Sequence, residues 1–355
     1  MKLLMQEKWD KRPFIISGPC SAETEQQMIE TAIRLAKTGK VDVLRAGIWK
    51  PRTKPGMFEG NGIIALPWLL SAKKITGLPT TIEVATAMHV EEAMKFEVDI
   101  LWIGARTTVN PFSVQELANA LRGVKIPVFI KNPINPDIEL WSGSIERLQQ
   151  VGIEQLGMIH RGFSAYGNTE FRNAPMWHLP IEMKRRYPNM PLICDPSHIC
   201  GDRILLQSIA QKSIDLDFDG LMLESHIDPD NAWSDAKQQV TPDRLMELLN
   251  ALTWRHGNSS EQEFITALAT LREQIDQLDD ELITLMGQRM KLSDKIGAYK
   301  KDNNITILQT RRWNDILESA FKKGEQLGLS NEFIIRYLDA VHLESIQHKN
   351  KVMNT

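Results

Sequence analysis

The chain has 355 residues, a formal net charge of −3 and 42% hydrophobic residues, a composition typical of a globular protein with room for more than one domain. The near-neutral charge gives no electrostatic reason to expect a nucleic-acid or membrane partner. Only three cysteines occur, which argues against a disulfide framework and fits a reducing, cytoplasmic location. The N-terminal segment becomes charged too early for a signal peptide, and the longest apolar runs are too short to cross a bilayer.

Eight short apolar runs recur over the first two thirds of the chain and alternate with stretches of helical periodicity. The runs are PFIIS, VDVLRA, TTIEVA, DILWIGA, PVFIK, LGMIH, PLICD and GLMLE. Strand–helix alternation over about 250 residues is typical of an α/β (β/α)8 TIM barrel. A doubly wound open sheet is the alternative, but eight repeats favour closure. We therefore predict a barrel over residues 1–254.

The composition changes after Trp254, where a polar segment predicts a linker over residues 255–262. No proline interrupts residues 262–302, and an apolar stripe repeats there at helical spacing. Two further helices are predicted over residues 310–327 and 330–349, so residues 263–355 are expected to form an all-α three-helix domain. Because this domain is too small and elongated to bury its stripe alone, we expect it to dimerise.

Four side chains capable of binding a metal follow predicted strands or lie in the loop after the last one. They are Cys20, His198, Glu224 and Asp235. The C-terminal ends of barrel strands meet at one mouth, where active sites lie. One thiol, one imidazole and two carboxylates suit a borderline divalent ion with open coordination positions. Each residue taken singly is more often a packing or solvated residue, so the joint placement is what favours a site.

A second group of strand-end residues is cationic. It comprises Arg45, Lys50, Arg52, Arg106, Lys131 and Arg161. Six cations at one mouth would repel each other unless anions neutralise them, and Arg and Lys are the residues that bind phosphate and carboxylate. The count suits a substrate pair with two phosphates and a carboxylate, beside a divalent metal that polarises a carbonyl.

The strings SGPCSAE, LRAGIWKPRT, IGART, FIKNP, HRG, DPSH and LMLESH resemble the type I 3-deoxy-D-arabino-heptulosonate 7-phosphate (DAHP) synthases over about residues 10–250. The stretch AGIWKPRTKPGMFEG resembles their β branch. The resemblance implies condensation of phosphoenolpyruvate with erythrose 4-phosphate, the first step of the shikimate pathway.

The same resemblance implies a role for each candidate residue. Cys20, His198, Glu224 and Asp235 match the metal ligands, with manganese as the first choice and iron, cobalt or zinc as alternatives. The residues that match the phosphoenolpyruvate contacts are Arg45, Arg106, Lys131 and Arg161, and Lys131 is also the candidate proton donor. Those that match the erythrose 4-phosphate contacts are Lys50, Arg52 and Thr53. Asp195 is predicted as a substrate contact or as a partner of a metal ligand.

The closest rival family is 3-deoxy-D-manno-octulosonate 8-phosphate synthase, which shares the barrel and the chemistry but takes a five-carbon aldose phosphate. That family carries an Asn-containing string where this chain has KPRT. Pro51 therefore favours the four-carbon substrate.

Basic residues also lie on the tail helices, where they most often form a solvated face. Arg289 and Lys300, however, lie eleven residues apart, three turns along one helix face, and an inward-facing pair would bind a dicarboxylate. The segment LREQIDQLDDELITLMGQRMKLSDKIGAYK resembles the long helix of AroQ-type chorismate mutases, and the resemblance covers about residues 262–350.

This second resemblance implies rearrangement of chorismate to prephenate by positioning and charge stabilisation. It implies that Arg289 and Arg272 hold the two carboxylates, with Arg272 reaching across a dimer, and that Lys300 donates to the ether oxygen that breaks. The implied chorismate contacts are Arg272, Arg289, Lys300, Gln309, Arg312, Ser345 and Lys349.

Three positions depart from the mutase pattern. Gln309 stands where Asp is frequent, Trp313 where Glu is frequent, and Lys349 where Gln is frequent. Lys349 could also donate to the ether oxygen, whereas Trp313 cannot accept a hydrogen bond from a substrate hydroxyl.

Two hypotheses follow for the tail. In the first, the chain is a bifunctional enzyme whose synthase is regulated through the mutase domain, with prephenate as the expected effector. In the alternative, the tail is catalytically weak and acts as a module that senses prephenate or chorismate. In both, we expect at least a homodimer.

Overall fold

The computed structural model describes residues 13–52, 54–167, 170–255, 261–308 and 310–354, apart from the side chains of residues 310 and 311. The chain divides into two compact units, Met1–Gly257 and Asn258–Thr355. The predicted linker, residues 255–262, spans this division.

Eight parallel strands close into one barrel in chain order, so the predicted (β/α)8 architecture is confirmed. Each of the eight apolar runs contributes one strand. The strands are β1 (Phe14–Gly18), β2 (Val43–Ala46), β3 (Thr80–Val84), β4 (Ile100–Ile103), β5 (Val128–Lys131), β6 (Leu156–His160), β7 (Leu192–Cys194) and β8 (Gly220–Glu224). β8 pairs with β1 from Phe14 opposite Gly220 to Gly18 opposite Glu224, which completes the ring.

Helices connect the strands and surround the barrel. They are α1 (Glu25–Lys37), α2 (Leu66–Thr76), α3 (Ala87–Lys95), α4 (Ala105–Thr108), α5 (Pro111–Ala120), α6 (Ile138–Gln150), α7 (His178–Arg186), α8 (Pro196–Cys200), α9 (Leu206–Asp215) and α10 (Pro242–Ala251). Local sequence sets their ends. Thr24, for example, accepts a hydrogen bond from the amide of Gln27 at the start of α1, and Gly77 ends α2 in the left-handed conformation.

The barrel has an apolar interior and a second apolar layer between strands and helices. The interior is filled by alternate residues of the strands, because successive strand side chains point to opposite faces. Its members are Phe14, Ile16, Val43, Ile100, Trp102, Phe129, Ile159, Ile193 and Met222. This core closes the barrel centre, so polar side chains at the strand ends face the C-terminal mouth.

The second unit consists of α11 (Gln262–Asp302), α12 (Thr310–Gln326) and α13 (Asn331–Asn354). The three predicted tail helices are therefore confirmed. The third continues past residue 349, where its predicted end was wrong, because no Gly or Pro follows to stop it and Val352 and Met353 remain half-buried. α13 packs against both α11 and α12.

Much of the apolar stripe of α11 is exposed in the part of the chain that the structure describes. Leu271, Ile275, Leu278 and Leu282 of the predicted stripe are each more than half exposed, and among the α11 residues only Met290, Ser293, Gly297 and Lys300 are buried. Among the described residues, no helix is both long enough and apolar enough to span a membrane.

Candidate active sites

The C-terminal mouth of the barrel contains a cavity of about 300 Å³ whose charged lining residues are mainly cations. All six strand-end cations predicted from the sequence line it, together with Arg172. The only carboxylates in the described lining belong to Glu83 and Asp235. The cavity therefore carries a large excess of positive charge and is suited to anionic ligands.

Two loops approach closely to form one side of this mouth. At Gly47 an added Cβ would lie 1.9 Å from the backbone oxygen of Cys20, so a side chain cannot be accommodated there. This approach places Lys50 beside Cys20: the Lys50 Nζ donates to the Cys20 Sγ at 2.5 Å and to the Cys20 carbonyl oxygen at 3.0 Å.

Asp235 joins the same group from the loop after β8. Its Oδ2 lies 3.3 Å from the Cys20 Sγ and accepts from the Arg52 guanidinium at 3.2 Å, and its Oδ1 accepts from Arg172 at 2.9 Å. Burial opposes ionisation, but Lys50 and Arg172 hold the pKa of this carboxyl below its ordinary value. The backbone of Asp235 has a φ of +48°, an uncommon conformation that positions the carboxylate among these cations.

Glu224 and His198 form a second pair of donors deeper in the mouth. The Glu224 Oε1 lies 3.8 Å from the His198 Nε2 and 3.0 Å from the Arg45 guanidinium, and its Oε2 accepts from Gln238 at 2.6 Å. Glu224 is fully buried, which raises the pKa of its carboxyl, but Arg45 and His198 more than offset this effect and the pKa lies below its ordinary value. Glu224 is thus a carboxylate held by cations.

The predicted metal ligands fit a divalent ion in their chemistry and only in part in their arrangement. Cys20 with Asp235 and His198 with Glu224 are two pairs at distances compatible with ligands of one ion. Lys50, Arg52, Arg172 and Arg45 bind these donors in the structure. Within the described ranges, no group of three or more His, Cys, Asp or Glu residues is placed to hold a metal ion.

Lys131, which lines the cavity, forms a buried ion pair with Asp195. The Lys131 Nζ lies 2.7 Å from the Asp195 Oδ2, which also lies 2.8 Å from the His198 Nδ1. Asp195 is 0% exposed; burial opposes its ionisation, but His198 and Lys131 keep the pKa of its carboxyl well below the ordinary value. The structure thus places Asp195 against a candidate ligand and a candidate proton donor.

Trp102 and Arg161 complete the mouth. Arg45 and Lys131 lie over the Trp102 ring at 5.2 and 5.5 Å from its centre. Burial lowers the pKa of Arg161 to about 10, and its guanidinium donates to the Asn173 Oδ1 at 2.7 Å.

Arg106 lines the cavity as predicted, whereas Thr53 lies outside the described residues.

Several residues of the mouth were not predicted from the sequence. Arg172 is one, because it lies within the long loop after β6 rather than at a strand end. Gln238 is another; it ends a short 3-10 helix after β8, and a single amide side chain carries no sequence signal of its own. Glu83 and Trp102 lie on β3 and β4, where alternation would place them in the interior, and the Glu83 Oε2 accepts from the Trp102 Nε1 at 3.1 Å.

The second unit brings together four of the residues predicted to contact chorismate. The Arg289 Nη1 donates to the Ser345 Oγ at 2.5 Å. The Lys300 Nζ donates to the carbonyl oxygens of Thr306 and Ile307 at 2.9 and 2.7 Å. Burial, Lys300 and Arg289 together lower the pKa of Lys349. These contacts and charges form a cationic group between α11 and α13.

Arg272 lies apart from this group in the single chain, and Arg312 lies in the first turn of α12. Both are exposed. Arg272 precedes Arg289 by 17 residues on the same helix, about 26 Å along its axis. Gln309 lies outside the described residues. Arg272 therefore cannot meet Arg289 within one copy of the straight helix.

A closed α/β barrel whose mouth gathers cations around a thiol, an imidazole and carboxylates defines an enzyme that acts on anionic substrates. The profile of the DAHP synthetase I family matches residues 6–259, and the profile of chorismate mutase type II matches residues 271–350. The chain belongs to the DAHP synthetase I family and also carries a chorismate mutase domain, a combination that makes it a bifunctional shikimate-pathway enzyme.

Known proteins agree with this assignment. The chain is 30% identical over 238 residues to a phospho-2-dehydro-3-deoxyheptonate aldolase of Thermotoga maritima, covering 67% of this chain and 68% of that protein. A crystal structure of the DAHP synthase from that organism aligns with a TM-score of 0.61 at 29% identity, covering 67% of each chain. Its truncated form aligns with a TM-score of 0.58 at 27% identity, covering 67% of this chain and 84% of that one.

The rival family is also represented among the relatives. A 2-dehydro-3-deoxyphosphooctonate aldolase of Nitratidesulfovibrio vulgaris is 27% identical over 271 residues, covering 68% of this chain and 91% of that protein. Members of both families therefore match the barrel part of this chain.

Proposed function

We propose that the barrel condenses phosphoenolpyruvate with erythrose 4-phosphate to give DAHP and phosphate. The observation that carries this proposal is the cation-lined cavity of about 300 Å³ in a member of the DAHP synthetase I family. Two phosphates and one carboxylate would neutralise much of its charge. We assign Arg45, Arg106, Lys131 and Arg161 to phosphoenolpyruvate, and Lys50, Arg52 and Thr53 to the aldose phosphate.

The reaction joins the alkene carbon of phosphoenolpyruvate to the aldehyde carbon of the aldose. Water then adds to the former enol carbon, and phosphate leaves with cleavage of the C–O bond. In this proposal Lys131 gives a proton to the former aldehyde oxygen; the support is the ion pair in which its Nζ lies 2.7 Å from the Asp195 Oδ2. The cations would hold the two substrates at reacting distance.

DAHP synthases generally depend on a divalent metal. We propose that Cys20, His198, Glu224 and Asp235 hold it here, with manganese as the first choice and iron, cobalt or zinc as alternatives. The support is the thiol, imidazole and carboxylate donor chemistry and the contact within each of the two pairs. When bound, such an ion supplies Lewis acidity to a carbonyl oxygen.

We further propose that the synthase belongs to the β branch and takes the four-carbon aldose. The support is the stretch AGIWKPRTKPGMFEG, in which Pro51 stands where the octulosonate enzymes carry a different string. Comparing phosphate release with erythrose 4-phosphate and with arabinose 5-phosphate tests this proposal. Faster turnover of the five-carbon sugar would assign the chain to the rival specificity.

For the helical domain, we propose catalysis of the chorismate-to-prephenate rearrangement. Arg289 is assigned to a substrate carboxylate, Lys300 and Lys349 to the ether oxygen, and Ser345 to the support of Arg289. The reaction is pericyclic, so these residues act by binding and charge stabilisation. Gln309 and Arg312 remain proposed contacts.

A homodimer, at least, is proposed from two observations. Arg272 is about 26 Å from Arg289 along α11, so it can only complete a mutase site of a second copy. The apolar residues near Arg272 are exposed and would be buried in such a dimer.

Purified full-length protein and Lys300→Ala should be compared for chorismate loss. Turnover that disappears in the variant supports two enzymes in one chain. If the unmodified protein does not turn over chorismate while synthase activity is intact, the alternative applies, and the tail is a catalytically weak domain that senses prephenate or chorismate.

We propose prephenate as the effector of the synthase, because a pathway product bound by the tail gives the first step a feedback signal. Titration of prephenate against the synthase rate is the measurement. A rate that stays constant at saturating prephenate excludes this regulation. A chain that ends after Trp254 and keeps both its synthase rate and the response would place the effector site in the barrel.

A further inference from the structure

His342 lies on the helix face that carries the proposed mutase site. It precedes Ser345 by three residues and Lys349 by seven, so the three side chains share one face of α13. Ser345 is 2% exposed and accepts a hydrogen bond from Arg289 of α11 at 2.5 Å. The face that includes His342 therefore points toward Arg289, the cation assigned to a chorismate carboxylate.

The ring of His342 is held by an aromatic contact. It lies against the indole of Trp313 on α12, with ring centres 4.3 Å apart and an angle of 31° between the rings. Trp313 is one of the positions at which this chain departs from the mutase pattern. The departure therefore places an aromatic ring against an imidazole at the site.

The ring nitrogens of His342 form no hydrogen bond with any residue that the structure describes. Burial, Lys349 and Arg289 lower the pKa of this histidine, and Asp339 opposes them only in part. The lowered pKa favours the neutral imidazole, which has one N–H donor and one nitrogen that accepts. An acceptor is what the site lacks at Trp313, because an indole only donates.

We propose that His342 is a specificity-determining residue of the mutase, whose imidazole accepts a hydrogen bond from the ring hydroxyl of chorismate while Trp313 fixes the plane of the imidazole. This inference rests on the proposed mutase function and adds to it the residue that recognises the hydroxyl. The residues around it, Arg289, Ser345 and Lys349, recognise the carboxylates and the ether oxygen instead.

Steady-state kinetics of the full-length protein with two substrates test the proposal. The substrates are chorismate and an analogue that lacks the ring hydroxyl. His342→Phe keeps an aromatic ring against Trp313 but removes the acceptor. We expect kcat/KM for chorismate to fall about tenfold, equivalent to about 1.4 kcal/mol, while the value for the analogue stays unchanged. His342→Gln restores an acceptor and should recover most of the loss.

His348→Phe is the matched control, because His348 lies on the same helix and pairs with Asp294 at 2.9 Å. Its kcat/KM should equal that of the parent for both substrates. Far-UV circular dichroism checks folding, and His342→Met, a good helix former, replaces the Phe variant if that variant unfolds.

Two results would overturn the proposal: an unchanged kcat/KM for chorismate in His342→Phe, or an equal loss for both substrates, which marks a packing role. If the mutase assignment itself is wrong, the unmodified protein will turn over neither substrate. That outcome differs from both results above.

Discussion

The ion pair between Lys131 and Asp195 offers a sharp test of how the mouth is built. Both side chains are buried, at 4% and 0% exposure, and the pair distance is 2.7 Å. Asp195→Asn removes the charge and leaves the Lys131 ammonium buried without its counter-ion. Breaking a buried pair in this way costs roughly 3–5 kcal/mol of unfolding free energy, or about 6–20 °C in Tm for a domain of this size.

Urea unfolding of the full-length protein, followed by tryptophan fluorescence in phosphate-free buffer, measures this loss. The double variant Lys131→Met with Asp195→Asn should be more stable than Asp195→Asn alone, because no unpaired charge remains. The folded pKa of Asp195 is lowered, so the contribution of the pair is present above the unfolded pKa of about 3.9 and is lost as the pH falls through the folded value.

Asp99→Asn is the matched control, because Asp99 is also buried and accepts from Lys73 at 2.8 Å. It lies at the N-terminal end of β4, away from the mouth, and Lys73 is partly exposed. The free energy of unfolding of the control should fall by only about 1–2 kcal/mol, and its synthase activity should remain. Asp195→Asn should lose synthase activity. An unfolding midpoint of Asp195→Asn equal to that of the parent, or a double variant less stable than the single one, would refute this account of the pair.

Three further predictions concern other parts of the chain. Burial lowers the pKa of His160 to about 3, so the folded protein loses up to about 1.4 kcal/mol of stability per pH unit as the pH falls from 6.5 toward 3. The urea midpoints at pH 7 and pH 5 should therefore differ less in His160→Leu than in the parent protein. Equal differences in the two proteins would contradict this. Gly47→Ala should destabilise the barrel by several kcal/mol, because the added Cβ would lie 1.9 Å from the Cys20 oxygen; a thermal midpoint equal to that of the parent would disprove the close approach. Arg289→Met should lower kcat/KM for chorismate by about 10²–10³ through loss of a charge-assisted contact; unchanged chorismate kinetics would remove Arg289 from the site.

The strands and the gathering of site residues at one mouth could be predicted because both follow from local pattern and topology. Each apolar run is long enough for one buried strand, and closure of a parallel barrel brings all strand ends together. Thus Cys20 and Asp235, 215 residues apart, were expected at the same mouth, and they lie 3.3 Å apart.

The pairing of individual groups at the mouth could not be predicted in this way. It depends on loop conformations, which no periodic pattern specifies. Arg172 reaches Asp235 from inside a loop, and Gln238 reaches Glu224 through an amide hydrogen bond of 2.6 Å. The contact between Trp313 and His342 was missed for a related reason, because it joins two helices whose relative rotation is set by packing.

In both domains, burial and neighbouring cations disfavour the charged form of a basic side chain. In the barrel mouth, burial and neighbouring cations such as Arg172 and Arg106 lower the pKa of Arg161 to about 10, although Asp195 opposes them. In the cationic group between α11 and α13, burial, Lys300 and Arg289 lower the pKa of Lys349. A lowered pKa means that the surroundings disfavour the charged form of these side chains. The folded state therefore loses stability by keeping them charged in these positions. Anionic substrates would relieve that cost in each site, so ligand binding and stability must rise together, as mass action requires for any ligand that binds only the folded state. The local excess of Lys and Arg side chains in each domain is therefore the physical reason that both domains are suited to phosphorylated or dicarboxylate molecules.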